Sequence, residues 1–376
     1  MLLNEDQLAV QDAIRSYVQD RIAPAAARWD KEHHFPADEL RGLAELGCYG
    51  VAVPTELGGA GLDYLNLALI IEEIAAGDGA TSTIVSVNNC PVCSILMAWA
   101  NSEQQQQWLV PLARGEKLGA FCLTEPHVGS QADGLKTSAR LDGNSYVLNG
   151  VKQFVTSGKN ADLAIVMAVT DKTAGKKGIS AFVVPTATPG YVVASLEDKM
   201  GQHASDTAQI LFENCRIPAT NRLGDEGQGL KIALSGLEGG RIGIAAQSVG
   251  MARAAFEAAL AYAKTRESFG QPIFQHQAVQ FRLGEMATRI EAARQLIHHA
   301  ASLKDAGRPC LKEAAMAKLF ASEMAEAVCS AAIQIHGGYG YVSDFPVERI
   351  YRDVRVCQIY EGTSDVQKIL IGRALA

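Results

Sequence analysis

One carboxylate near the end of the chain is placed to do chemistry. In Gln358-Ile359-Tyr360-Glu361-Gly362-Thr363-Ser364-Asp365, Glu361 stands between an apolar–aromatic pair and a glycine, directly before a helix start. Ser364 followed by Gln367 is a capping-box pattern, so a helix is predicted from Ser364 to the C-terminus. A carboxylate held between Ile359, Tyr360 and a helix N-terminus is a candidate general base. Desolvation raises its pKa towards working pH, and nearby amides limit that rise. Taken alone, such a residue is more often a solvated surface glutamate beside a cap. The rest of the chain has to decide.

At 376 residues the chain can bury a large core and divide into two or three domains. It is 48% hydrophobic and 20% charged, the balance of an ordinary globular enzyme. A net charge of -7 without a basic stripe argues against nucleic acid as a partner. No apolar run is expected to reach membrane-spanning length. The start, Met1-Leu2-Leu3-Asn4-Glu5-Asp6, lacks the features of a leader, so the expectation is a cytoplasmic protein or the mature form of an organelle protein. Cys90-Pro91-Val92-Cys93 is a CxxC without a second CxxC or a matched histidine pair, and it reads as reduced thiols in an apolar helical setting. His33-His34 and His298-His299 are adjacent rather than four apart, so no metal site is expected. No GxGxxG occurs, and a dinucleotide would bind in some way other than a Rossmann turn.

Three regions must position the carboxylate. Residues 4–115 read as helical, with Leu8, Ile14, Val18 and Ile22 at helical spacing, a helix from Pro36 to Leu46, and further helices near 64–76, 82–100 and 103–113. From Lys117 to about Gly224 short β-rich runs alternate with Gly, Asn, Asp and Pro, which predicts an antiparallel barrel or sandwich. Helical patterns return over 227–264, along Val279 to Ile297 and over Leu311 to His336, and the C-terminal piece adds a fourth helix of a bundle. The fold class is therefore α+β, with an N-terminal helical domain (1–116), a middle β domain (117–225) and a C-terminal four-helix bundle (226–376).

Separate motifs then line up. They are Phe121-Cys122-Leu123-Thr124-Glu125-Pro126-His127-Val128-Gly129-Ser130, Asn149-Gly150-Val151-Lys152-Gln153-Phe154-Val155-Thr156-Ser157-Gly158, Arg266-Glu267-Ser268-Phe269-Gly270 with His276-Gln277, Gln334 to Gly340, and the Glu361 stretch. In this order and spacing, across essentially the whole chain, they closely resemble the acyl-CoA dehydrogenase family. Leu237-Glu238-Gly239-Gly240-Arg241-Ile242-Gly243 and Ser86-Val87-Asn88-Asn89 look most like its short-chain, butyryl-CoA branch.

The resemblance implies an FAD enzyme, usually a homotetramer, that oxidises an acyl-CoA to the trans-2-enoyl-CoA and passes electrons to electron-transfer flavoprotein. Glu361 would take the α-proton while the flavin takes the β-hydride, and the Glu361 N–H would help hold the thioester oxygen. It assigns the flavin to Phe121, Leu123, Thr124, Gly129, Ser130, Phe154 and Thr156, with Thr363 and Asp365 following the base. Many relatives have Trp where Phe154 stands. Arg266, Phe269, Gln277, Gln334, Gly337 and Gly338 would serve a neighbouring subunit's cofactor, Arg266 through its diphosphate. Ser130, Glu238, Arg241 and Gly362 would meet the acyl-CoA, although Glu238 and Arg241 also have the spacing of a surface ion pair. Isovaleryl-type relatives place the base just before this arginine, where Gly240 offers no carboxylate. Gln131 departs from the common Gly-Ser-Asp, with Asp133 two positions later. Two alternatives share the fold: an acyl-CoA oxidase or other oxygen-using flavoprotein, and a non-enzymatic scaffold.

Overall fold

The computed structural model describes residues 2–376. Helices occupy the chain as far as Ala113, strands lie between Gly119 and Leu223, and helices resume at Gly229. The expected order of helical, sheet and helical regions is what folds.

Short polar side chains start the N-terminal helices. Asn4 and Gln7 form a capping box at the head of Glu5–Tyr17. Asp63 accepts from the Asn66 amide at 2.7 Å to start Tyr64–Gly77, and Asp78 accepts from the Thr81 amide at 2.7 Å to start Gly79–Val87. Both of these helices are almost entirely buried, so apolar residues are not confined to one face and polar ones such as Glu72, Glu73 and Thr81 are buried with them.

The stretch Gly79–Trp99 is long and apolar enough, by length and composition, to cross a bilayer, contrary to the expectation that no run is. Here it is a core element: 83% of its apolar window is buried in the protein. It is also interrupted, because Cys90 leaves helical geometry before Pro91. Cys90 and Cys93 are buried free thiols at this interruption.

The middle region forms one eight-stranded sheet of β1 (Gly119–Cys122), β2 (Ser138–Asp142), β3 (Ser145–Thr156), β4 (Leu163–Val169), β5 (Ile179–Pro185), β6 (Tyr191–Leu196), β7 (Thr207–Pro218) and β8 (Arg222–Leu223). The order is β6-β7-β3-β2-β4-β5-β8, with β1 also on β4. Most pairs are antiparallel, as expected, but β1 runs parallel to β4 over four residues and β2 touches β4 in parallel at Ser138 and Val169. Parallel neighbours need a long crossover, and the β2–β3 hairpin supplies it. Two register shifts between β3 and β7 bend the long pair.

The C-terminal region contains Gly229–Thr265, Gln277–Asp305 and Leu311–His336. Small residues such as Ala245, Ala252, Ala255, Ala259, Ala314, Ala317 and Ala321 are buried where these helices pack. The fourth element of the bundle is not one helix. Val347–Val354 and Ser364–Arg373 are separate, and the Glu361 loop lies between them.

Candidate active site

The chain approaches Glu361 through a tight helical turn, Arg355–Gln358, and then turns left-handed twice, at Glu361 (φ 53°) and Gly362 (φ 89°). Glycine accepts that conformation freely, whereas a glutamate there costs about 1–2 kcal/mol. Side chains hold the loop: Lys318 Nζ donates to the Gly362 carbonyl at 2.7 Å, and Gln367 Nε2 donates to the same oxygen at 2.8 Å and to Glu361 O at 3.2 Å. The helix that follows is capped by Thr363, whose hydroxyl accepts from the Val366 amide at 3.3 Å, rather than by Ser364. Gln367 serves the loop instead of closing a capping box.

The Glu361 side chain lies against the Gly229–Thr265 helix at Gly240. A Cβ added to Gly240 would sit 2.6 Å from Glu361 Cδ, so glycine at that position makes room for the carboxylate. Oε2 is fully occluded and has no hydrogen-bond partner. Burial pushes this carboxyl up to about 7, opposed by Arg241 and then Lys318. Two cations therefore limit the rise, and not the helix amides expected from the sequence. Nor does Ile359 shield the group, since it is 52% exposed. The Tyr360 hydroxyl donates to Gln247 Oε1 and approaches Cys357 Sγ at 3.6 Å.

Arg241 is only 4% exposed, and its Nε and Nη1 lack partners. Unpaired buried guanidinium nitrogens carry a large desolvation cost, and they fit a site that receives a polar or anionic ligand. Glu238 is not Arg241's partner. Its carboxylate takes Lys304 Nζ at 3.1 Å and Cys310 Sγ at 3.5 Å, and Lys304 also lies 4.9 Å over the Tyr64 ring. The Arg241 charge thus acts on the carboxylate of the base without pairing with it, while Glu238 is neutralised by Lys304.

The first two motifs meet through backbone and a buried ion pair. Gln153 N donates to Thr124 O at 2.9 Å. Beneath that contact Lys152 Nζ reaches Glu125 Oε1 at 2.9 Å and Leu123 O at 3.0 Å, while Glu125 accepts the Lys136 and Thr137 amides at 2.7 and 3.0 Å. Burial alone would raise the Glu125 carboxyl, but Lys152 and these amides hold it below its usual range. Phe121 lies on β1, and Leu123, Thr124 and Thr156 are half-buried around this junction. Phe154 adopts φ 57° and is 63% exposed; Ser157, at φ 58°, has a buried hydroxyl without a partner. Gly129 and Ser130 are exposed in the adjoining turn, and Asp133 pairs with Lys176 at 3.4 Å. An exposed aromatic side chain, with an unpaired hydroxyl three residues further along the same segment, fits a planar ring with a polar rim. Thr363 is used as a cap, and Asp365 is exposed, 3.8 Å from Lys368.

A second group gathers where the long helices end. Arg266 terminates Gly229–Thr265, and a hairpin carries Phe269, 96% exposed, at its tip. Gln277 begins the next helix, while Gln334, Gly337 and Gly338 end Leu311–His336. The Arg266 guanidinium lies 5.8 Å over Tyr339, and all the residues assigned to this group are exposed. At about 1.5 Å per residue, the 25 residues from Gly240 to Thr265 put this group roughly 38 Å along the helix from Glu361. One chain does not bring it to the base.

Among the residues not anticipated from sequence, Lys318 and Lys304 matter most. Lys318 left one signal, a charge on an otherwise alanine-rich helix face; Lys304 left none. Among the described residues no group of three or more His, Cys, Asp or Glu side chains is arranged to hold a metal ion.

Family models of the acyl-CoA dehydrogenase N-terminal, middle and C-terminal domains match residues 4–116, 120–215 and 227–376. The chain is 47% identical to the human mitochondrial short-chain specific acyl-CoA dehydrogenase, over 98% of this chain and 90% of that protein. Butyryl-CoA dehydrogenase from Megasphaera elsdenii superposes with a TM-score of 0.97 at 40% identity, covering 100% of this chain and 99% of that one. A chain in the structure of the "Electron transferring flavoprotein of Acidaminococcus fermentans" superposes with a TM-score of 0.98 at 45% identity, with 100% and 99% coverage. With three consecutive domain matches and relatives of this similarity along its full length, the chain belongs to the acyl-CoA dehydrogenase family, in its short-chain branch, and is a flavin-dependent oxidoreductase.

Proposed function

We propose that this protein oxidises a short-chain acyl-CoA, with butyryl-CoA as the reference substrate, to the trans-2-enoyl-CoA, using Glu361 as the base that removes the α-proton. The observation that carries this reading is the Glu361 carboxylate held against Gly240, its Oε2 occluded and without a hydrogen-bond partner, with the charges of Arg241 and Lys318 acting on it. A base must be ionised to accept a proton and weakly enough hydrated to use it, and a carboxyl near 7 meets both conditions at neutral pH. The Glu361 backbone N–H is a donor for the enolate oxygen that develops as the proton leaves. Arg241, buried and unpaired, is assigned to the CoA portion together with Glu238, which acts through Lys304, and Ser130 and Gly362 are assigned to the acyl-CoA.

FAD, when bound, would supply the acceptor for the hydride leaving the β-carbon. Its ring is assigned to Phe121, Leu123, Thr124, Gly129, Ser130, Phe154 and Thr156, with Thr363 and Asp365 nearby, and the exposed Phe154 face and the unpaired Ser157 hydroxyl support that assignment. The roughly 38 Å of helix between Gly240 and the group around Arg266 supports the sharing of sites between subunits, proposed as a homotetramer by family resemblance, in which Arg266, Phe269, Gln277, Gln334, Gly337 and Gly338 serve a neighbour's cofactor. We divide the chain into domains at 1–116, 117–225 and 226–376. Electron-transfer flavoprotein is the proposed acceptor, which the Acidaminococcus similarity supports. Anaerobic mixing with butyryl-CoA should bleach the bound flavin, and added electron-transfer flavoprotein should restore its colour much faster than air. No bleaching with any acyl-CoA from C4 to C12 would defeat the proposal; reoxidation in air as fast as with the flavoprotein would favour an oxidase.

A further inference from the structure

Lys318 is fully buried on the Leu311–His336 helix, among Ala314, Ala315, Ala317 and Ala321. Among the described residues no carboxylate oxygen lies within 4 Å of its Nζ; the hydrogen bond it makes is to the Gly362 carbonyl at 2.7 Å. A buried ammonium with a single acceptor is costly, and an apolar residue of similar volume would fill the same space more cheaply. What sets the position apart is the loop it touches. Gly362 follows Glu361 directly, both residues are left-handed, and the Gly362 carbonyl is gripped by Lys318 and Gln367 together.

We infer that Lys318 is a positioning residue for the reaction: its ammonium fixes the left-handed Glu361–Gly362 pair so that the carboxylate lies against Gly240, and its charge favours the ionised form of that carboxylate. This rests on the reading of Glu361 as the base. The charged and titratable groups facing Lys318 are Cys357 and Glu361 from the C-terminal segment, Arg241 from the Gly229–Thr265 helix and Glu323 from its own helix. Those bearing on Glu361 are Arg241 and Lys318. Two cations thus oppose the burial of one carboxylate. Removing Lys318 leaves Arg241 alone to do so, and the Glu361 carboxyl rises. Since the rate needs the ionised form, the rising limb of the pH profile moves to higher pH. The lysine itself is pushed down to about 8 by burial, so it remains largely protonated at pH 7.

Lys318→Gln keeps a donor and removes the charge; Lys318→Met removes both. Two measurements separate the roles: the pH dependence of anaerobic flavin bleaching by butyryl-CoA, and amide hydrogen exchange of the 358–367 segment in flavin-free, substrate-free protein. In both variants the midpoint of the pH profile should rise by about one unit, within the range expected for loss of a nearby opposite charge. Exchange in the loop should stay slow in the Gln variant and quicken at least tenfold in the Met variant. The Gln variant should reach a bleaching rate within a few-fold of wild type at high pH, and the Met variant should plateau tenfold or more lower. An unmoved midpoint in both variants would overturn the inference, even if rate or stability fell, because space-filling alone would not set the ionisation of Glu361. If the Met variant fails to fold, the midpoint of the Gln variant decides alone. Glu361→Gln run in parallel keeps the two readings distinct: if that variant bleaches like wild type, the assignment of the base fails, whatever Lys318 does.

Discussion

Among the described residues two lysines are completely buried, and they sit in opposite electrostatic settings. Lys152, under the proposed flavin motifs, is neutralised by Glu125 at 2.9 Å, which is itself tied down by two backbone amides. Lys318, under the Glu361 loop, has only a backbone carbonyl at hydrogen-bond distance. Burial lowers the pKa of both, although Glu125 works against this for Lys152. The contrast separates two uses of a buried charge. A paired ion clamps segments together and spends its field on its partner. An unpaired one leaves its field for the neighbouring reactive carboxylate.

The largest stability effect should come from breaking the paired case. Lys152→Met leaves the Glu125 carboxylate buried without its cation, which ordinarily costs about 3–5 kcal/mol, and should weaken flavin retention as the junction between Thr124 and Gln153 loosens. Urea unfolding measures it, and a loss below about 1 kcal/mol would show that the pair is not a clamp. Next comes the space around the unpaired case. Gly240→Ala pushes a methyl group into the Glu361 carboxylate; overpacking of this kind costs about 1–3 kcal/mol, and displacing the base by an ångström costs roughly 10²-fold in rate. Single-turnover bleaching at wild-type speed would mean the carboxylate has another resting place.

The pH profile of wild type is a gentler probe of the same site. Because burial raises the Glu361 carboxyl to about 7, the bleaching rate should fall about tenfold per pH unit below that value and level off above it. A profile flat from pH 5 to 8 would contradict this. The smallest effect on the single-chain fold belongs to Arg266→Ala, far from both lysines on an exposed helix end. Unfolding should barely change, while size-exclusion chromatography and flavin content should show a weaker oligomer that loses FAD. Full FAD affinity in this variant would make Arg266 a surface cation only.

How far the sequence could be read depends on the range of the interactions. The bounds of Leu311–His336 are legible in the sequence, because Pro309 precedes the helix and a glycine, Gly337, ends it, both local signals. The last helix begins at Ser364, as its pattern predicts, but its cap is Thr363. Thr363 and Ser364 are adjacent hydroxyls, and the left-handed turn at Gly362 selects the first as the cap. The parallel pairing of β1 with β4 left no trace, since a two-residue alternation records which face is buried and not which way a partner runs. Glu361 itself was legible from its neighbours and from the family motifs. What tunes it was not: Arg241 lies 120 residues away in sequence and Lys318 lies 43 away, and only the bundle brings both to the loop.

The central claim is that Glu361 is the base, and Glu361→Gln tests it most directly. The amide keeps the size and most of the hydrogen bonding, so FAD and butyryl-CoA should still bind, with binding followed by a shift in the flavin spectrum. On anaerobic mixing, wild type should bleach quickly and the variant should be slower by about 10⁴-fold, the upper end for loss of a general base, because Gly240 offers no substitute carboxylate. A variant that binds butyryl-CoA and bleaches within tenfold of the wild-type rate would show that the proton goes elsewhere.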